Sequence, residues 1–126
     1  MDNDWRHSVT RPYEEILHRV IAFREERDWA RFHHPKDLAI SIALEAAEFM
    51  ELFQWKDQDE IREMLDSPEG LEAAGEEMAD ILILLLSASD AIGVDLYDAV
   101  LRKLEKNAEK YPIDKARGNA TKYDKL

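Results

Sequence analysis

An all-α, four-helix bundle-like subunit assembled as an oligomer is the fold class this sequence predicts. Three observations predict it. Hydrophobic residues make up 45% and charged residues 36% of 126 residues, a balance that suits a folded helical chain and not a disordered one. Four glycines and four prolines are too few for a turn-rich β sandwich. Two stretches, Leu38–Leu44 and Ile81–Leu86, are apolar nearly all round. Helices of that kind must be buried on every side, and one small subunit can hardly cover two of them. Strands of a parallel sheet are the competing reading of the aliphatic runs, but the flanking Ala, Glu and Met favour helix.

The elements follow from local chemistry. The first helix runs from about Pro12 to Arg27, with Ile16, Val20 and Phe23 as its apolar stripe. Residues 28–34 form an aromatic-rich connector. Pro35 suits the first position of a second helix reaching about Gln54. Asp57-Gln58-Asp59-Glu60 resembles a capping box and starts a short helix through Leu65. Ser67-Pro68 opens the third main helix and Gly93 stops it. Asp95 caps the fourth, and Pro112 ends it. The chain reads as a single domain over 1–126, with a helical core at about 12–111 and an irregular basic tail at 112–126.

Charge and cysteine content restrict the function. The net charge of −11 disfavours general nucleic-acid binding. Residues 102–126 carry eight Lys/Arg against four Asp/Glu, a local +4 that leaves −15 on the remainder. An acidic body beside a basic segment can hold a cation and an anion side by side, although solvated helix charge looks similar. Cysteine is absent, so thiolate metal sites are excluded and a reducing compartment is expected. The start of the chain, Met1 to Arg6, shows no apolar signal region, and six consecutive aliphatics fall far short of the ~20 that span a bilayer. The expectation is a soluble cytoplasmic protein with neither membrane nor nucleic-acid partner. Trp5 receives no role.

Two motifs carry chemistry. Glu45-Ala46-Ala47-Glu48 and Glu77-Met78-Ala79-Asp80 each place two carboxylates three residues apart on one helix face. Between Leu38 and Met50 these two glutamates are the only charges. Like charges at ~4 Å repel by roughly 4 kcal/mol at an effective dielectric near 20. Two facing pairs therefore call for cations, and an all-oxygen box suits Mg²⁺, with Mn²⁺ as a substitute. Glu45, Glu48, Glu77 and Asp80 are the candidate metal ligands and catalytic groups; Glu51 and Glu76 flank them. Either motif alone is common on exposed helices, and the two together beside apolar runs are the more specific signal. Such a box is apparatus for metal-assisted phosphoanhydride hydrolysis without a covalent intermediate. No G-x-x-x-x-G-K-[ST] loop is present.

Companion residues fit an anionic, aromatic ligand. Lys103, Asn107 and Lys110 fall on one face of the fourth helix, which also fits a plain solvated face. Trp29 and Trp55 frame the second helix, with Phe32, His33 and Phe53 nearby; they suit either base stacking or closure of helix ends. A di-iron bundle needs two Glu-x-x-His copies, and Glu15–His18 is the single one here. An acidic helical scaffold that binds another protein is the non-enzymatic alternative.

Taken together, Arg27-Asp28-Trp29, Phe32-His33-His34-Pro35, Glu45–Glu48, Glu51–Lys56, Glu76–Asp80 and Lys103 through Tyr111-Pro112 resemble the MazG-like all-α nucleotide pyrophosphohydrolases, and the dCTP pyrophosphatase branch in particular. The resemblance covers roughly residues 12–123. It implies an all-α NTP pyrophosphatase fold and Mg²⁺-dependent cleavage of a nucleoside triphosphate to the monophosphate and pyrophosphate. It further implies tetramers built as dimers of dimers and metal ligation by Glu45, Glu48, Glu77 and Asp80. The same resemblance makes Trp29, His33, Trp55, Lys103, Asn107, Lys110 and Tyr111 the substrate-binding set. Two positions depart from that branch: Val20 stands where it has a pocket His, and Leu84 where it has a Tyr. The base preference implied, dCTP or a related dNTP, is the feature those departures touch.

Overall fold

The computed structural model describes residues 12–125, so Trp5 and the segment around it lie outside the described residues. Among the described residues every regular element is helical. The helices are α1 (Tyr13–Glu26), α2 (Pro35–Glu51), α3 (Gln58–Asp66), α4 (Pro68–Ile92), α5 (Leu96–Lys110) and α6 (Ile113–Ala116). Short 3₁₀ turns occupy Ala30–Phe32 and Tyr123–Lys125. The chain divides into two compact units, one up to Gly93 and one from Val94.

The predicted punctuation acts where it was expected. Pro35 opens α2, and Pro68 opens α4 after Ser67, whose Oγ accepts from the Gly70 N–H at 3.0 Å. A Cβ on Gly70 would lie 2.0 Å from the Met64 carbonyl oxygen, so the close passage from α3 into α4 requires glycine there. Gly93 adopts φ 82°, the left-handed conformation that stops α4. Asp57 and Glu60 form a reciprocal capping box at the start of α3. Replacing Asp57 with Ala removes it and is expected to lower unfolding free energy by about 1 kcal/mol in urea titrations.

Two boundaries differ from expectation. Helix α2 ends at Glu51, earlier than Gln54, because Leu52 N–H turns back to the Phe49 carbonyl and the chain continues as turns. The tail is not wholly irregular. The Pro112 carbonyl accepts from the Lys115 and Ala116 N–H groups at 3.0 and 2.8 Å, which nucleates α6.

In the first unit α2 lies along α4, and α1 and α3 also pack on α4. Val20, Leu38, Ala74 and Leu86 form its buried apolar centre. Ser87 and Ser89 are buried beside them, each donating its hydroxyl to the backbone one turn back, Ile83 and Leu86 at 2.8 and 2.7 Å. Large apolar side chains such as Leu44, Met78, Leu82 and Ile83 remain exposed on the same helices. In the second unit Asp95 caps α5 through the Asp98 N–H, and Tyr123 meets Tyr111 edge-on at 6.0 Å with the Lys110 ammonium over its ring.

Candidate active site

The pairing of α2 with α4 sets the two acidic motifs against each other. Carboxylate oxygens of Glu45, Glu48 and Glu77 lie within 4.8 Å of one another. Glu45 and Glu77 are half-buried and Glu48 is exposed. One oxygen of Glu45 and one of Glu77, each Oε2, are shielded from solvent without a hydrogen-bond partner. Such shielded acceptors are costly unless a cation or proton satisfies them. The carboxyl of Glu77 is accordingly pushed above its usual range, first by desolvation and then by the charges of Glu48 and Asp80. Glu45 is raised in the same sense, by desolvation first and then by its hydrogen bond and charge interaction with Glu48.

Asp80 stands one turn beyond Glu77, exposed, and outside the close trio. Its charge nevertheless raises both Glu45 and Glu77, so it belongs to the same field. The donor set is all carboxylate, drawn from two facing helices, and two of its oxygens lack partners. This fits a hard divalent cation that takes oxygen ligands.

A second feature of the first unit is a cavity of about 390 Å³ between α1 and α4, bordered by the turn after α1. Its walls include Val20 and Leu84, the two positions singled out above, with Phe23, Arg24, Trp29 and His33. Asp28 adopts φ 53°, a left-handed turn that reverses the chain after α1 and lets the Trp29 N–H reach the Arg24 carbonyl at 2.9 Å. The Trp29 ring meets Phe23 edge-on at 5.6 Å and His33 at 6.1 Å. Trp55, in the turn after α2, is 86% exposed and is not part of this wall. Lys103, Asn107, Lys110 and Tyr111 belong to the second unit. Lys103 borders a basic surface hollow there with Arg102 and Lys106.

Sequence reasoning missed Arg24. The residue is only 4% exposed. Nε donates to His33 Nδ1 at 2.9 Å, and Nη1 donates to Asp90 Oδ2 at 2.9 Å and to the Ser87 carbonyl at 3.3 Å. Burial, then the Arg24 charge, holds the His33 imidazole below its ordinary 6.5. The available signal was positional: Arg24 follows Val20 by four residues, so a charge falls on the apolar stripe of α1.

A helical unit carrying a paired-carboxylate box is of the all-α NTP pyrophosphatase fold type. The MazG-like family profile matches residues 40–126. The chain is 41% identical over 113 residues to dCTP pyrophosphatase 1 of Bos taurus, spanning 90% of this chain and 67% of that one. It is 37% identical over 122 residues to the Mus musculus protein of the same name, spanning 97% and 72%. The crystal structure of a pyrophosphatase from Archaeoglobus fulgidus superimposes with a TM-score of 0.72 at 43% identity, covering 84% of this chain and 97% of that one. This chain belongs to the MazG-like family.

Proposed function

We propose that this protein is a nucleoside triphosphate pyrophosphohydrolase that hydrolyses dCTP or a closely related dNTP to the nucleoside monophosphate and pyrophosphate, with Mg²⁺ as cofactor. The observation that carries the proposal is the close trio of Glu45, Glu48 and Glu77 with two shielded, unpartnered oxygens. Family membership and the named activities of the relatives support the enzyme class.

Glu45, Glu48, Glu77 and Asp80 would hold the metal. When bound, the metal supplies charge stabilisation at phosphoryl oxygens and acidifies water. A carboxylate oxygen of the box left free of the metal would take the proton from the attacking water. Trp29 stacks on the base, and Phe23 and His33 fix its ring. Trp55 offers a second exposed aromatic face, Lys103 and Lys110 neutralise phosphates, and Asn107 and Tyr111 hydrogen-bond the nucleotide. The exposed aliphatic side chains of α2, α4 and α5 support assembly into a homo-oligomer, a tetramer built as a dimer of dimers. The lack of cysteine suits a cytoplasmic enzyme.

The test is pyrophosphate release from all canonical NTPs and dNTPs and 5-methyl-dCTP, with Mg²⁺ and with EDTA. Release from dCTP-type substrates, abolished by EDTA, is expected. Preference for another base would move the substrate assignment and leave the reaction intact. EDTA-resistant release would remove the metal from the mechanism, and no release from any substrate would overturn the function.

A further inference from the structure

The clasp made by Arg24 acts on the chemistry of the cavity wall as well as on the packing of α1 against α4. A guanidinium has donors only. Its Nε–H points at His33 Nδ1 at 2.9 Å, so that ring nitrogen is the acceptor and bears no proton. The proton of the uncharged ring must then sit on Nε2, on the other side of the imidazole. His33 lines the same cavity as Trp29; Val20, Leu84 and Ile83 supply apolar lining, and the exposed Arg19 borders it as well. An oriented N–H donor in a largely apolar wall discriminates between ligands, because a partner without an acceptor leaves it unpaired.

We propose that Arg24 is a positioning residue for base recognition: by donating to His33 Nδ1 it fixes the imidazole proton on Nε2, so His33 offers the base a hydrogen-bond donor and favours rings with an acceptor at that edge, such as the N3 or O2 of cytosine. The inference rests on the cavity being the base site of the reaction proposed above. Burial and the Arg24 charge, which together hold His33 unprotonated, favour the same ring state. Asp90 does a different job. It is 43% exposed in its side chain, pairs with Nη1, and keeps the guanidinium in place without touching His33.

Three variants separate positioning from packing. Arg24→Lys keeps a charge for Asp90, but one ammonium cannot reproduce the fixed fork that reaches both partners. Asp90→Asn weakens the clasp and keeps the Nε to Nδ1 bond. Arg24→Met keeps an unbranched chain of similar bulk and removes every donor. The readouts are steady-state kinetics on the dNTP preferred by the wild type, thermal midpoints, and side-chain ¹⁵N NMR of His33, assigned by its loss in His33→Gln. In the wild type the expected pattern is a bare Nδ1 and a protonated Nε2. Arg24→Lys and Arg24→Met should raise KM about tenfold with kcat nearly unchanged, the loss of one oriented hydrogen bond. They should also shift His33 toward mixed tautomers and toward titration nearer 6.5. Asp90→Asn should lower the thermal midpoint and leave KM and the NMR pattern alone.

A wild-type His33 carrying its proton on Nδ1 would overturn the inference. So would Arg24→Lys with wild-type KM and an unchanged NMR pattern, since the role would then be packing. The NMR measurement needs no turnover. A protein that hydrolyses no dNTP yet shows the Nε2–H pattern, lost in Arg24→Lys, would therefore sink the proposed function while upholding the hold of Arg24 on His33.

Discussion

Replacing Glu77 with Gln is expected to lower Mg²⁺-dependent turnover by at least ~100-fold, beyond the 10–100-fold typical of groups one shell away from a metal. The same change is expected to raise the thermal midpoint of the metal-free protein at neutral pH. The two effects have one cause. Glu77 presents a shielded oxygen without a hydrogen-bond partner, next to Glu45 and Glu48, under the charge of Asp80. That arrangement is unfavourable for a carboxylate alone and favourable for a carboxylate on a cation. An amide of the same shape removes one charge from the repulsion and, on the proposed function, weakens one metal ligand.

The pH dependence gives the sign independently. The Glu77 carboxyl in the folded protein is raised above its ordinary 4.5. A raised folded-state value means the folded protein holds its proton more tightly than the unfolded chain. The stability this contributes is fully present below 4.5 and is lost as pH rises through the raised value. At neutral pH the metal-free wild type therefore carries the penalty and Glu77→Gln does not. The gap in midpoint between the two should be widest at neutral pH and close below about 4.5. Adding Mg²⁺ at neutral pH should reverse the order, because on the proposed function only the wild type has all four carboxylates and gains the full stability from binding. Differential scanning fluorimetry across pH, with EDTA or Mg²⁺, reads all of this. A variant with wild-type turnover, or a metal-free midpoint that falls at neutral pH, would contradict the account.

What the sequence disclosed and what it withheld divide along a physical line. Helix starts and stops depend on residues within a few positions of each other. Pro35, Ser67-Pro68, Gly93, Asp95 and the Asp57–Glu60 box were therefore legible without any tertiary information. The acidic box was legible because Leu38–Met50 holds no counter-charge for Glu45 and Glu48, a pattern less expected of a solvated face. Register between helices was not legible. That three carboxylates approach within 4.8 Å while Asp80 stands just outside depends on how α2 settles along α4. The Arg24 clasp was hidden for the same reason: its partners His33, Ser87 and Asp90 lie 9, 63 and 66 residues away. The cavity gathers Val20 and Leu84, the two positions that depart from the dCTP pyrophosphatase branch and that the resemblance ties to base preference.

Leu86→Ala is expected to lower unfolding free energy by about 3 kcal/mol and the thermal midpoint by roughly 10 °C. Leu86 is 1% exposed on α4, and among the described residues the other buried apolar side chains are Val20, Leu38 and Ala74. A cavity at that point has little surrounding core that can relax into it, because its neighbours Ser87 and Ser89 are tied to the backbone by their hydroxyls. Ile113→Ala, at an 81% exposed site, should change stability by no more than about 0.5 kcal/mol. Urea titrations of both variants check the contrast. Turnover measured well below the transition should be preserved in Leu86→Ala, because Leu86 contributes no atom to the carboxylate trio. A loss under 1 kcal/mol would mean that the small core within one chain is not what holds α4 in place. The exposed aliphatics of α2 and α4 would then carry that load across a subunit boundary, and the midpoint would fall on dilution of the protein.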